Sequence, residues 1–293
     1  MLNDQAAGLR AMQSKPLTKD TPPAGSPVRV IAVASGKGGV GKTNVSVNLG
    51  ISLCKMGNRV LLMDADMGLA NVDIMLGLQT KYNLSHVLDG QKTLKEIIVD
   101  GPGGLKVIPA ASGVRRMAQL SAMENAGIIN AFSELSGELD VLIIDTAAGI
   151  ADSVVSFCRA AQEVVVVVTD EPASITDAYA LIKVLSRDYQ VSRVRLLANM
   201  SRSEQHGKQL FNKLSRVCEQ FLDVHIDYLG TILFDHDLRD AVQKQSPVTI
   251  SYPNSAAARA FKEVAYSVDS WPIPKGMTGY LQFFVENLFQ SGH

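Results

Sequence analysis

The stretch Val30–Gly50, VIAVASGKGGVGKTNVSVNLG, places a glycine-rich turn between an apolar β-type run and a helical pattern. Within it, GKGGVGKT at Gly36–Thr43 fits the phosphate-loop pattern G-x-x-x-x-G-K-[ST]. Glycines let the backbone wrap a polyphosphate, and the following helix adds the positive end of its dipole. We expect Lys42 to contact the β- and γ-phosphates and Thr43 to bind Mg²⁺. Because a strand precedes the motif and a helix follows it, a nucleotide-binding site is favoured over a chance match.

The composition is balanced in charge and rich in apolar residues. The 293 residues are 46% hydrophobic, which allows a large core. With 28 basic and 29 acidic residues there is no polybasic arm, which disfavours a purely electrostatic nucleic-acid binder. Cys54, Cys158 and Cys218 are far apart and are predicted to be buried in a reducing compartment, not to bind metal. Without a signal peptide or a membrane-spanning run, the chain is predicted to be cytoplasmic.

The chain divides into three segments. Residues 1–27 combine a short helical motif with a proline-rich tether, 28–270 alternate between strand and helix patterns, and 271–293 end in an amphipathic pattern. The alternation predicts an α/β fold with a single doubly wound, mostly parallel sheet, helices on both faces and a site at the carboxyl ends of the strands. Ser174 and Asp177 form an S-x-x-D signal that predicts a helix cap at Ser174. The predicted strands are Val30–Ala34, Val60–Met63, Leu105–Ile108, Val141–Ile144, Val164–Val168, Arg195–Ala198 and Tyr228–Leu233.

Aspartates follow two of these strands. Asp64 and Asp66 end the run RVLLMDAD, and Asp145 ends LDVLIID. An aspartate after such a strand suits a water-mediated contact with Mg²⁺. Each alone could equally be a helix cap or a surface turn. Together, beside a phosphate loop, they predict the metal side of a nucleotide site.

The loop carries a second lysine, Lys37, besides Lys42. Within its own loop Lys37 would crowd Lys42, but in another subunit it could neutralise phosphate charge as an arginine finger does. The alternative is a solvated loop lysine. The motif KGGVGKT resembles the deviant Walker A motif of the MinD/ParA ATPases. That resemblance implies an ATP-dependent homodimer, slow dimer-dependent ATP hydrolysis, and a Lys37 that reaches the nucleotide of the partner subunit.

The same resemblance assigns roles to further residues. Asp66 matches the aspartate that orients the attacking water, and Asp64 its neighbour near the magnesium shell. Asp145 and Gly149 match the D-x-x-x-G motif that senses the γ-phosphate. The catalytic residues implied are therefore Lys37, Lys42, Asp66 and Asp64, and the metal-binding residues are Thr43, Asp64 and Asp145.

The resemblance also implies contacts with the sugar and the base. Glu171 matches an acidic residue that touches the partner's ribose, and Asn199 matches the residue that recognises adenine. Phe234 and Asp235 occupy a second adenine-contacting loop, although many relatives have Pro at the position of Phe234. With Asp145 and Gly149, the implied nucleotide-binding set is completed by the phosphate loop, namely Gly36, Lys37, Gly38, Gly39, Val40, Gly41, Lys42, Thr43 and Asn44.

Several stretches, among them DADMGLANVDIMLGL at Asp64–Leu78, resemble the flagellar-number regulators of this family, called FlhG or FleN. Those proteins imply three partners: the flagellar GTPase FlhF, the flagellar switch-complex proteins and the σ54-dependent flagellar master activator. DNA segregation of the ParA type and division-site regulation of the MinD type are the alternatives. The N-terminal DQAAGLR resembles the motif with which the flagellar group stimulates the GTPase, and its matching residues are Asp4, Gln5, Ala6, Leu9 and Arg10.

The C-terminal pattern predicts a helix with one apolar face. MinD relatives end in a helix that grips the membrane, which would place the protein at the inner membrane or cell pole. The segment has no Lys or Arg after Lys275, which weakens attraction to anionic lipid. Docking on the body or on a partner is the alternative. We expect a helix that is docked without ATP and released in the dimer, with the apolar face formed by Tyr280, Leu281, Phe284, Val285 and Leu288.

Overall fold

The computed structural model describes residues 27–66, 71–109, 122–272 and 281–290, and its strands there form one sheet. The strands are β1 Arg29–Ser35, β2 Val60–Ala65, β3 Val99–Asp100, β4 Lys106–Ile108, β5 Val141–Ala148, β6 Glu163–Val168, β7 Arg193–Ser201 and β8 His225–Leu233. Their order across the sheet is β3-β4-β2-β5-β1-β6-β7-β8. Neighbours run parallel except β3, which is antiparallel to β4. The predicted doubly wound α/β fold is confirmed.

Helices cover both faces of the sheet. They are α1 Lys42–Lys55, α2 Val72–Leu76, α3 Leu84–Leu88, α4 Leu94–Ile97, α5 Ala122–Ser133, α6 Asp152–Ala160, α7 Pro172–Tyr189, α8 Glu204–Phe221, α9 His236–Gln243, α10 Val248–Ser251, α11 Ala256–Asp269 and α12 Leu281–Gln290. Short 3₁₀ turns lie at Pro102–Gly104 and Ser136–Glu138. None of the helices in the described ranges is both long and apolar enough to cross a bilayer.

Alternate residues of the central strands pack on opposite faces of the sheet. Ile31 and Val33 of β1 lie in an apolar cluster with residues of α1 and α11, whereas Ala32 and Ala34 lie in a cluster with α6, α7 and α8. This alternation follows from the period of two of an extended strand. Because both faces are covered, the central strands are apolar throughout, as the run of five valines in β6 shows.

One predicted helix boundary is wrong. Helix α7 begins at Pro172, with Glu171 in the N-cap position, and not at Ser174. Proline is common at the first helical position, because its fixed φ suits the helix and the N–H it lacks would have no partner within the helix there. The Ser174 hydroxyl is buried inside the helix and accepts a hydrogen bond from the Thr169 N–H at 3.0 Å.

The end of α11 is fixed against the amino-terminal edge of the sheet by two arginines. Arg29 Nη2 donates to the Trp271 carbonyl oxygen at 2.7 Å. The guanidinium of Arg195 lies 3.8 Å from the centroid of the Trp271 ring and pairs with Glu163 at 2.8 Å. A cation over an aromatic face and a paired charge both stabilise this closure.

The C-terminal helix α12 packs against α5 and α6. Leu281, Phe284, Val285 and Leu288 are buried and share an apolar cluster with residues such as Phe132 of α5. Four residues of the predicted apolar face therefore lie against the body of the protein. The remaining one, and the N-terminal motif, fall outside the described residues: Tyr280, Asp4, Gln5, Ala6, Leu9 and Arg10.

Candidate nucleotide-binding site

The phosphate loop connects β1 to α1 at the carboxyl edge of the sheet. Gly41 occupies the N-cap position of α1 with φ of 88°, no side chain caps the helix, and its first turn holds no acidic residue. A Cβ atom on Gly41 would lie 2.5 Å from Asn199 Nδ2, and one on Gly36 would lie 2.1 Å from the backbone of Asp177. Glycine is therefore required at both positions, and the positive end of α1 is available to an anion.

Two adjoining cavities open beside this loop. The larger, of about 680 Å³, is the phosphate cavity, and the smaller, of about 460 Å³, is the base cavity. Asn44, Met200, Val242 and Gln243 line both. The phosphate cavity is also lined by Gly38, Gly39, Gly41, Lys42, Thr43, Asp66, Asn71, Ile74, Met75, Ala148 and Gln245, and the base cavity by Asn199, Leu233, Phe234, Asp235, Leu238 and Arg239.

Lys42 lies among carboxylates beside the phosphate cavity. Its side chain is buried, and burial lowers its pKa, while the charges of Asp145 and Asp66 act in the opposite direction. Asp64 and Asp145 are buried neighbours in the β2–β5 ladder. Burial raises the pKa of Asp64 to about 7, with a further contribution from Asp145, and N–H groups of three residues, including Asp66 and Val72, partly offset this.

Asp145 has the surroundings expected of an aspartate near a cation. Burial raises its pKa to about 6, although hydrogen bonds from Thr43 and Ser46 and the charge of Lys42 lower it. Ser46 Oγ donates to Asp145 Oδ1 at 2.9 Å. Two buried carboxyl groups with raised pKa values form a region where a divalent cation would favour the ionised forms. Of the three predicted metal-binding residues, Thr43 lines the phosphate cavity, and Asp64 and Asp145 are buried next to it. Hydroxyl and carboxylate oxygens are ligands that suit Mg²⁺, and binding of the ion by this set stays a prediction.

Lys37 makes an ion pair within its own subunit. Its Nζ lies 2.7 Å from Glu171 Oε2, with 36% of the lysine side chain and 62% of the glutamate side chain exposed. The Ser35 hydroxyl donates to the Lys37 carbonyl oxygen at 2.7 Å and braces the loop. The structure therefore joins two residues that the sequence assigned to contacts with a partner subunit.

Asn199, which lines the base cavity, holds an unused hydrogen-bond acceptor. Asn199 is buried; its Nδ2 donates to the Val40 carbonyl oxygen at 2.7 Å, and its Oδ1 has no hydrogen-bond partner among the described residues. Such a buried acceptor is costly to leave unpaired, which fits a site that is completed by a ligand donor. The exocyclic amino group of adenine is a donor of this kind.

Phe234 and Asp235 both line the base cavity, as the sequence predicts. Phe234 is 48% exposed, and its ring lies edge-on to His236 with centroids 5.3 Å apart. Asp235 caps α9 by accepting the Asp237 N–H at 2.8 Å and also accepts the Ala257 N–H at 2.8 Å. The Asp235 side chain is thus used to hold the loop in place.

The loop after β5 contacts the phosphate loop from the other side. Gly149 has φ of 99°, which favours glycine, and its N–H donates to the Ser35 carbonyl oxygen at 2.9 Å. Ala148 lines the phosphate cavity. Gly149 therefore lies beside the phosphate loop, and its response to the γ-phosphate stays a prediction.

Several residues that line the cavities were not predicted from the sequence. Met200 is 43% exposed, lines both cavities and adopts the left-handed conformation, with φ of 54°. A non-glycine residue in this conformation often marks a functional site. Arg239, Val242 and Gln243 belong to α9, which begins directly after β8. The available signal was topological, since the first turn after a parallel strand lies at the carboxyl edge of the sheet.

The comparisons with known proteins agree with this geometry. A family model named ParA, described as the NUBPL iron-transfer P-loop NTPase, matches residues 27–269. The chain belongs to the MinD/ParA family of P-loop ATPases. As a member of this family the chain is an ATPase, and its phosphate loop and two cavities are consistent with that activity.

Two curated relatives cover most of this chain, an antiactivator and a flagellum site-determining protein. The chain is 58% identical over 264 residues to the antiactivator FleN of Pseudomonas aeruginosa, covering 90% of this chain and 94% of that protein. It is 36% identical over 241 residues to the flagellum site-determining protein YlxH of Helicobacter pylori, covering 81% of this chain and 80% of that protein.

Solved MinD structures have the same fold. MinD in the MinC:MinD cell division complex of Aquifex aeolicus superposes with a TM-score of 0.67 at 26% identity, over 85% of this chain and 98% of that chain. MinD of Pyrococcus horikoshii, complexed with Mg-ADP, gives a TM-score of 0.64 at 26% identity, over 83% of this chain and 96% of that chain.

The matching family model is described as an iron-transfer protein, and cysteines are common iron ligands. Cys54, Cys158 and Cys218 lie at the end of α1, in α6 and in α8. Burial raises the pKa of each thiol, to about 12 for Cys158 and about 11 for Cys218. Among the described residues, none of the three belongs to a group of three or more His, Cys, Asp or Glu side chains that could hold a metal ion.

Proposed function

We propose that this ATPase is an ATP-driven dimerising switch that controls the number and placement of flagella. The observation that carries the flagellar assignment is the 58% identity with antiactivator FleN over nearly the whole of that protein. The similarity to the flagellum site-determining protein YlxH supports the same assignment. The phosphate cavity, the base cavity and the buried carboxylates supply the nucleotide site that such a switch needs.

Different residues of this chain would bind the phosphates, the metal ion and the base of the nucleotide. Bound Mg-ATP supplies the reactive phosphoanhydride and a divalent cation. Lys42 would place a positive charge at the phosphates, and Thr43, Asp64 and Asp145 would hold the metal side of the site. Asp66, at the phosphate cavity, orients the attacking water, and the free Oδ1 of Asn199 accepts a hydrogen bond from the adenine amino group.

Dimerisation requires Lys37 to exchange partners. In this structure the lysine is held by Glu171 of its own subunit. On ATP binding we expect Lys37 to leave that pair and to neutralise phosphate charge across the dimer interface, where a transferred cation of this kind accelerates hydrolysis roughly 10³–10⁵-fold. Glu171, once released, contacts the partner's ribose. Hydrolysis followed by release of inorganic phosphate then takes away the γ-phosphate charge that Lys37 neutralises, which weakens the dimer.

The N-terminal motif DQAAGLR is proposed to act on the partner GTPase FlhF, while the dimer presents surfaces to switch-complex proteins and to the σ54-dependent activator. A short motif on a proline-rich tether can reach a partner without changing the ATPase body. Deletion of residues 1–21 should leave ATP hydrolysis intact and abolish GTPase stimulation. Stimulation that survives the deletion would remove this role.

Helix α12 is proposed to be docked without ATP and released in the dimer, with weak lipid binding that depends on two copies acting together. The burial of Phe284 and its apolar neighbours supports the docked state. Liposome flotation of wild type and Phe284→Glu, each with ATP and with ADP, tests the lipid role. We expect flotation only of wild type with ATP, and equal flotation of all four samples would exclude it.

Counting flagella tests the assignment in the cell. Deletion of the gene should change flagellar number per cell in electron micrographs, and wild type but not Lys42→Ala should restore it. Normal flagellation of the deletion strain would contradict the proposal. A salt-dependent gel shift with non-specific DNA would instead favour a DNA-segregation role of the ParA type.

A further inference from the structure

A buried polar bridge joins α1 to α10. The wholly buried Asn48 accepts hydrogen bonds at its Oδ1 from the Thr249 N–H at 3.2 Å and from the Thr249 hydroxyl at 3.0 Å. Its Nδ2 donates to the Asn44 carbonyl oxygen at 2.9 Å. The ammonium group of Lys55 donates to the Thr249 carbonyl oxygen. Every polar atom of the buried Thr249 is therefore bonded to a side chain of α1.

The bridge lies between elements that line the phosphate cavity and the base cavity. Asn44, bonded to Asn48, lines both cavities. On the other side, α9 supplies one wall of the base cavity through Leu238, Arg239 and Val242, and only four residues separate α9 from α10. We call His236–Gln243 the base wall.

The base wall is held at both ends. At its start, Asp235 accepts the Ala257 N–H and so attaches the wall to α11. Beyond its end, α10 is attached to α1 through Asn48 and Thr249. Since α1 also carries the phosphate loop at its amino terminus, the second attachment fixes the distance between the phosphate cavity and the base wall.

The affinity for a nucleotide depends on this distance, because the base and the phosphates of the ligand are joined covalently. Buried hydrogen bonds add only modestly to stability, but they define one arrangement of the elements they join. We infer that Asn48 and Thr249 are positioning residues that hold the base wall against the phosphate loop, and that they set how much the base contributes to nucleotide affinity. The inference rests on the proposed nucleotide site.

The test compares a ligand that has a base with one that lacks it. Calorimetric titration with ADP and with inorganic pyrophosphate, both with Mg²⁺, gives an affinity ratio for each variant. Thr249→Val removes the hydroxyl at nearly constant volume and should weaken ADP binding about fivefold while changing pyrophosphate binding less than about twofold. Thr249→Ser keeps the hydroxyl and should restore the wild-type ratio.

Ser52→Ala is the matched control. The Ser52 hydroxyl is buried in the same helix and donates to the Asn48 carbonyl oxygen at 2.7 Å, without reaching α10. This variant loses a buried hydrogen bond and should keep the wild-type affinity ratio. Lys55→Met, at an exposed position, gives a second variant that should fold normally and lower the ratio about twofold.

Three results decide between the possible outcomes. A selective loss of ADP affinity in Thr249→Val and Lys55→Met supports the inference. An unchanged ratio in both, or an equal loss with Ser52→Ala, overturns it and leaves the bridge as a purely structural contact. Wild-type protein that binds neither ADP nor pyrophosphate would overturn the proposed nucleotide site itself.

Discussion

Replacing Phe284 with alanine should loosen the C-terminal helix from the body. The Phe284 side chain is 1% exposed and lies in the apolar cluster shared by α12, α5 and α6. Removing a buried phenylalanine ring costs about 3 kcal/mol or more, because both its transfer free energy and the packing around it are lost. If that cost falls on docking alone, the undocked population rises about 100-fold.

Hydrogen exchange of the amides in residues 281–290 measures this population directly. In the protein without nucleotide, we expect Phe284→Ala to lower their protection about 100-fold, while amides of the central strand β1 keep theirs. Phe283→Ala is the matched control, since Phe283 is only half-buried and is the adjacent residue of the same helix. It should change protection much less. Equal protection in wild type and Phe284→Ala, or equal effects of the two substitutions, would refute the docking argument.

Three further outcomes follow from contacts elsewhere in the chain. Lys37→Ala should keep some ATP affinity but fail to dimerise in light scattering. Glu171→Gln should still dimerise, because the substitution frees Lys37 from its ion pair. A Lys37→Ala protein that dimerises would disprove the exchange of partners. Trp271→Ala should lower the free energy of unfolding by about 3 kcal/mol in urea titration, and Trp271→Phe by less, because only the alanine variant removes all packing against Arg195. Without Mg²⁺ and nucleotide, Asp64→Asn should gain stability relative to wild type as the pH rises from about 4 to 7. The wild-type protein loses stability over this range because the Asp64 carboxyl, with its pKa raised to about 7, holds its proton more tightly in the folded state than in the unfolded state. A stability difference between the two proteins that does not change with pH would contradict this.

Much of the fold could be predicted because its strands are apolar runs and its phosphate loop has a fixed pattern. The five valines of β6 predict a strand buried on both faces, and the structure confirms one. The two-residue strand β3 has no pattern of its own, since its place in the sheet depends on pairing with β4. Local capping rules also failed at Ser174, because Pro172 starts the helix earlier.

The site was predictable where a motif defines it and not where distant segments meet. The grouping of Lys42 with Asp64 and Asp145 follows from strand ends that share one edge of a parallel sheet. The pair between Lys37 and Glu171 joins residues 134 positions apart, and no local pattern encodes it. The bond between Asn199 and the phosphate loop spans 159 positions and depends on the packed fold in the same way.

The dependence of dimerisation on bound ATP is the central claim, and light scattering with Mg-ATP tests it most directly. Asp66→Ala should bind ATP without turnover and show a molar mass twice that of the 31.5 kDa chain. Lys42→Ala, deprived of the buried cation at the phosphates, should remain at the mass of one chain. A Lys42→Ala protein that doubles its mass with ATP, or an Asp66→Ala protein that never does, would contradict the account.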